Sequence, residues 1–363
     1  MAIGDWSGRM GDWWVRYCWL GDGFGDIVRL PDQSWTEPQE NDFIETLMNP
    51  ESAPPSLQPS DSSFSSQTPP PLESALNLGL SDLTVSKEKT YFGILLTVAL
   101  IGWLILTVTL VGILYALFFG LGAWFASGLL VAHLKSESIK VTPEQLPLLH
   151  RTFEDVCRKL QLSEVPEFYV VQNNGVLNAF ASRHSGRNFI VIFSDLLEAL
   201  GHDSPQVRFL IGHEIGHIRR NHLMKRLLLL PSLVVPLVGK AYHRACEATC
   251  DRFGLFAAGS SRGASLGLAV LAGGKEAIRM VNQEAFARQH HEQRGFFVSW
   301  HELASGYPTL SQRVSNVLAV ERPEFAKKAG RSVLAYLLAP VFSIQTLIFV
   351  YLGVIVFLTK FQR

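Results

Sequence analysis

The chain has 363 residues and a mass of 40.4 kDa, more than one typical domain. Its 32 lysines and arginines balance 32 aspartates and glutamates. That removes the basic footprint phosphate-backbone binding requires, so nucleic acid is not expected as a partner. Cys18, Cys157, Cys246 and Cys250 are too scattered for a disulfide scaffold and suit a reducing compartment.

No early basic stretch leads into a short apolar core, so no secretory signal is expected at the start. Residues 1–48 hold Trp6, Trp13, Trp14, Trp19 and Trp35 without helical or strand periodicity. They read as a partner-binding module or as upstream sequence from a misplaced start. Residues 49–86 include PPSLQPSDSSFSSQTPPP, which cannot bury enough apolar surface to fold alone and reads as a linker.

From Tyr91 to Ala132 there is no charged residue. As one helix this run would extend roughly 63 Å, about twice the hydrocarbon thickness of a bilayer. A transmembrane hairpin over 87–134, turning near Gly112, is therefore expected; a single span continuing as an interfacial helix is the competing reading. A second uncharged run supports one more span over 332–359, with Pro340 as a tolerated kink. Lys87, Lys89, Lys135 and Lys140 flank the hairpin, and Lys327, Lys328 and Arg331 precede the last run. The positive-inside rule then places residues 135–331 in the cytoplasm of a multi-pass, inner-membrane protein, with Lys360 and Arg363 weighing against it at the C-terminus.

Within 135–331, Thr142-Pro143-Glu144-Gln145 predicts a helix start, running to about Leu162. Glu167–Val171 and Asn188–Phe193 read as strands, and Ser194 as a helix cap. Ser204-Pro205 opens a helix expected to continue to about Arg226.

That helix carries HEIGH. His213 and His217 are four apart, about 40° around the axis, so both imidazoles reach one ion, and Glu214 lies beside them. Two histidines plus one further protein ligand on zinc leave a position for water, whose pKa falls from about 15.7 to about 7. Glu214 would take the water's proton and pass it to the leaving amine. A chance match on a surface helix is the alternative; Phe209, Leu210, Ile211, Ile215 and Ile218 make the surroundings apolar, and Gly212 and Gly216 permit close packing.

A third ligand is needed. The pattern HExxHxxGxxH fails because Arg220 and Leu223 occupy its glycine and histidine places. His222, about 180° round a continuous helix from His213, reads as a structural or surface histidine. Glu247 in RACEATCDRFG is the better candidate, with Asp251 at i+4 accepting the other ring N–H of a ligand histidine. Cys246 and Cys250 are soft-ligand alternatives but read as core thiols; His243, His290, His291 and His301 are reserve candidates.

Asn178-Ala179-Phe180-Ala181, HEIGHIRRNH, Glu247 with Asp251, and YPTLSQRV at Tyr307–Val314 occur in an order that resembles the HtpX-like and CAAX-prenyl-protease-like membrane zinc metallopeptidases, peptidase family M48, over roughly residues 90–320. The resemblance implies an α+β, mainly helical, gluzincin-type domain with a small β-sheet and transmembrane helices, and one zinc ion per chain. It also implies that an edge strand pairs with extended substrate, with Asn178, Ala179 and Phe180 binding it. The family usually has a histidine where Tyr307 stands, followed by an arginine, here Arg313. These would stabilise the oxyanion or position substrate, with packing and a salt bridge as their bland alternatives. Leu227–Gly239, too short to span, would dip into the bilayer surface, cover the site, or pack in the core.

The expected activity is hydrolysis of peptide bonds in membrane-associated or misfolded polypeptides. Set against it are a degenerate membrane scaffold recruiting partners through its N-terminal region, and a prenyl-protein protease, for which three crossings are too few.

Overall fold

The structure, a computed structural model, describes residues 79–80, 83–172, 176–327, 329–343 and 351. The tryptophan-rich region and most of the linker expected near the start lie outside the described residues, as does most of the last expected span.

Two helices are long and apolar enough to cross a membrane. The first is α1 (Ser86–Val108); the second lies within α2 (Leu110–Glu137). The chain breaks at Thr109, three residues before the expected turn, because Thr109 is extended (φ −101°, ψ 127°) and its side chain caps α2 by accepting from Gly112 N–H at 3.2 Å.

A four-stranded mixed sheet follows, in the order β1 (Ile139–Lys140), β2 (Glu167–Val171), β4 (Arg187–Phe193), β3 (Ala179–His184). β2 and β4 are parallel, with Tyr169 opposite Val191, and the edge strands β1 and β3 pair antiparallel. β3 and β4 form a hairpin whose two turn residues, Ser185 and Gly186, both have positive φ (47° and 84°), the twist that two-residue hairpins favour. β4 is buried on both faces. Ile190 and Ile192 enter the main core with Phe153 and Ile211, whereas Phe189, Val191 and Phe193 pack with Val131 and Leu134 from the last turns of α2. α2 is tied to the sheet again where Ser127 Oγ meets His184 Nδ1 at 2.8 Å.

The helix expected from Thr142 instead begins at Pro147 and runs to Lys159 (α3). Thr142 and Gln145 close a turn on each other, and Leu146, left-handed at φ 60°, separates that turn from α3. α4 (Ser194–Leu200) starts within one residue of the expected point, but Phe193 stands at the N-cap and Ser194, read as the cap, is the first helical residue.

α5 (Pro205–Arg219) is capped by Ser204 Oγ, which accepts from Val207 N–H at 3.2 Å. It does not reach Arg226. Asn221 adopts φ 54°, a conformation asparagine tolerates, and a separate helix, α6 (His222–Leu228), starts after it. Leu230–Val234 forms a 3₁₀ turn against α1, where Trp103 Nε1–H donates to Leu228 O at 2.8 Å. The uncharged segment therefore packs beside the first apolar helix, leaving Leu227, Leu228 and Leu230 exposed.

α7 (Val238–Ala258) crosses α5 at very close range. A Cβ on Gly212 would lie 2.5 Å from Ala257 Cβ, one on Gly216 would lie 3.1 Å from Cys250 Cα, and one on Gly254 would lie 2.6 Å from Phe209 O. Only glycine allows this approach, as the sequence predicted for Gly212 and Gly216. The remaining described elements are α8 (Ser261–Met280), α9 (Gln283–Glu292), α10 (Phe296–Ala304), α11 (Leu310–Leu318), a 3₁₀ turn (Pro323–Ala326) and α12 (Val333–Val341). The described fold is mostly helical with one small sheet, as expected.

Candidate metal centre

The glycine contact between α5 and α7 sets three donor groups facing one another. His213 Nε2 lies 3.3 Å from Glu247 Oε2, and His217 Nε2 lies 3.5 Å from Glu247 Oε1. The two imidazoles stand edge to face with centroids 5.1 Å apart. One ligand atom from each of His213, His217 and Glu247 lies within 4.8 Å of the others. Both Nε2 atoms aim at the same carboxylate while both Nδ1 atoms have partners elsewhere, so this donor set fits a divalent cation.

Behind the donors, His213 Nδ1 meets Asp251 Oδ1 at 3.0 Å. Arg313, from α11, grips Asp251 with Nε donating to Oδ2 at 2.9 Å and Nη2 to Oδ1 at 2.6 Å, and its Nη1 lies 3.8 Å from Glu247 Oε2. His213, Glu247, Asp251 and Arg313 are all buried. Burial disfavours charge on each, but the opposite charges outweigh it: His213, His217 and Arg313 hold Glu247 well below the usual carboxylate range, and Arg313 does the same for Asp251. Against the burial that opposes it, bonds to Asp251 and Glu247 hold the His213 proton up to about 10, whereas burial pushes His217 down to about 3. The pocket thus favours positive charge between the carboxylates.

Glu214 is also buried, and desolvation raises its carboxyl to about 7, with Glu247 pushing the same way. A backbone hydrogen bond from Ala181 opposes this. Ala181 belongs to β3, the sheet's edge strand. Phe193 N–H donates to Asn178 O at 3.0 Å, so in antiparallel alternation Asn178 and Phe180 bond to β4 while Ala179 and Ala181 point their N–H groups outward. Ala179 N–H is taken by Asn178 Oδ1 at 2.9 Å.

Tyr307 sits before α11, half exposed, its ring 6.3 Å from that of His243, which lies one turn before Glu247. Partial desolvation and the charge on Glu247 push its phenol up to about 12, so it is a neutral donor. His290 is buried near Glu302, and His301 is exposed. Cys246 and Cys250 are buried free thiols raised by desolvation, as expected of core residues.

Of the two readings of His222, structural and surface, only the structural one holds. Because the helix breaks at Asn221, His222 is buried, and its Nδ1 lies 3.1 Å from His217 Nδ1. Its Nε2 lies 3.3 Å from Oε1 of Glu88, a buried residue at the start of α1 that the sequence reading passed over. The one signal for Glu88 was an acid at the mouth of an apolar run.

A helix bearing two histidines and a glutamate, faced by a carboxylate from a neighbouring helix, defines the class of metal-dependent hydrolases that carry HExxH. Residues 143–240 match the family model described as Peptidase family M48, a family of generally metal-dependent peptidases. The matched stretch holds His213, Glu214 and His217 and stops before Glu247. No curated protein and no solved structure matches the chain.

Proposed function

We propose that this chain is a membrane-anchored zinc endopeptidase of the HtpX-like, gluzincin type, with His213, His217 and Glu247 holding one zinc ion. The convergence of both Nε2 atoms on the Glu247 carboxylate carries this reading, since two imidazoles and a carboxylate are a common catalytic zinc set. Bound zinc lowers the pKa of water and polarises the scissile carbonyl.

Glu214 accepts the proton of the attacking water and returns it to the leaving amine; its burial keeps proton affinity close to neutral pH. Extended substrate pairs with the outer edge of β3 by donating to the carbonyls of Ala179 and Ala181, beside Asn178 and Phe180, which selects for unfolded backbone rather than for a side-chain sequence. Tyr307 donates a hydrogen bond to the developing oxyanion. Arg313 acts one step removed, holding Asp251 and through it His213. α1 and α2 anchor residues 135–331 at the cytoplasmic face of the cell membrane, an orientation that the flanking lysines favour, and the substrates are membrane-associated or misfolded polypeptides.

The test is Glu214→Gln in the full chain. It keeps stoichiometric zinc and loses proteolysis of an unfolded substrate on the order of 10²–10⁴-fold. Equal activity in the variant overturns the mechanism, and wild type without stoichiometric metal favours a degenerate scaffold.

A further inference from the structure

We infer that His222 and Glu88 form a relay that fixes the tautomer and direction of His217, making Glu88 of the first apolar helix a positioning residue of the metal centre. This rests on the zinc reading above.

The hydrogen-bond directions follow from one requirement. His217 must present an unprotonated Nε2 toward Glu247 and the metal, so in its neutral form the proton sits on Nδ1. That Nδ1–H is 3.1 Å from His222 Nδ1, which must then accept. With Nδ1 accepting, neutral His222 carries its proton on Nε2 and donates it to Glu88 Oε1, 3.3 Å away. The Cys250 thiol, a weak donor, lies 3.6 Å from His222 Nδ1 and agrees with its acceptor role. Each ring nitrogen from His217 Nε2 to His222 Nε2 has one consistent role, and Glu88 Oε1 accepts at the end.

Glu88 is locked in turn. Arg220 donates to the same Oε1 from Nε at 3.2 Å and Nη2 at 3.0 Å, and Lys225 Nζ stands 3.8 Å away. Glu88, His222 and Cys246 also have metal-ligand spacing. Two cations beside the Glu88 carboxylate make a second dication there unfavourable, whereas they suit a carboxylate that accepts from an imidazole. Each ligand histidine thus ends on an arginine-held carboxylate: His213 directly on Asp251, and His217 through His222 on Glu88. The second carboxylate comes from α1, so metal affinity depends on how that helix is seated.

The experiment measures zinc affinity of the full chain in detergent by competition with a chromophoric chelator, for wild type, Glu88→Gln, His222→Phe and the double variant. The cobalt(II) visible spectrum and the unfolding midpoint in excess chelator accompany each. Partners of metal-ligating histidines typically matter 10–100-fold. We expect roughly that loss for His222→Phe, a smaller loss for Glu88→Gln, and a changed cobalt spectrum in both. The double variant should match His222→Phe alone, because Glu88 acts through His222.

Wild-type affinity and spectra in both single variants overturn the relay, and so does an additive double variant. Should His222→Phe fail to fold, Glu88→Gln decides alone, since it keeps side-chain shape and removes only charge. A wild type that binds zinc and cleaves substrate while the variants are unchanged sinks the relay and leaves the proposed function standing. A wild type that binds no zinc sinks both.

Discussion

Arg313 and Asp251, 62 residues apart in sequence, are joined by two parallel hydrogen bonds, Nε to Oδ2 and Nη2 to Oδ1, in a buried pocket. Such a fork cannot be reproduced by lysine. Removing one partner of a buried pair typically costs about 3–5 kcal/mol because the other charge is left uncompensated. Arg313→Met should therefore lower the unfolding midpoint by many degrees. Arg313→Lys should lower it less, yet still weaken zinc binding on the order of tenfold. Calorimetry with and without chelator checks both.

The α5–α7 contact gives a second expectation. Gly212→Ala places a methyl 2.5 Å from Ala257 Cβ and 3.1 Å from Gly254 Cα, so the helices must separate. Overpacking of this kind typically costs about 1–3 kcal/mol. It should also weaken zinc binding, because His213 and Glu247 ride on the two helices. Adding Ala257→Gly removes the closest contact and should restore part of both quantities; chemical denaturation and zinc competition measure them.

What the sequence made legible was local. Two histidines one helical turn apart need no tertiary knowledge, and Glu247 with Asp251 share a helical face, so the candidate donors could be named before the fold. The close glycines and two central strands were equally readable. β3 was missed because Ala179–His184 has no alternation of apolar and polar residues. The break after Arg219 was missed because one left-handed asparagine can end a helix whose apolar pattern continues. Glu88 could not be reached by spacing at all, since its partner His222 is 134 residues away.

The edge strand offers a third test. Ala181 N–H points away from β4, so Ala181→Pro removes no ladder bond, and proline is tolerated at such edges. The variant should fold and bind zinc as wild type does; it also removes the bond from Ala181 to Glu214, which lowers kcat, so the edge pairing is read from KM on an unfolded polypeptide, expected to rise at least tenfold. Unchanged KM would remove β3 from substrate binding.

A fourth expectation concerns pH. Burial, then the neighbouring Arg294, hold buried His290 down to about 4, although Glu302 pulls the other way, with His291 and Arg331 nearby. The unfolded chain binds the proton near pH 6.5 and the folded chain does not. The stability this provides is present above about pH 6.5 and is lost as pH falls toward 4, on the order of 2–3 kcal/mol. His290→Gln should flatten that part of the unfolding-midpoint profile between pH 7 and 4.

Phe189, Val191 and Phe193 have their cover in Val131 and Leu134, near the end of the second apolar helix. Cutting the chain after Glu137 would strip one side of the sheet and leave aromatic and branched side chains in water, a surface prone to self-association. The second apolar helix and the sheet are in this sense a single folding unit. Solubility is to be sought by shielding the two long helices with detergent or lipid, not by removing them.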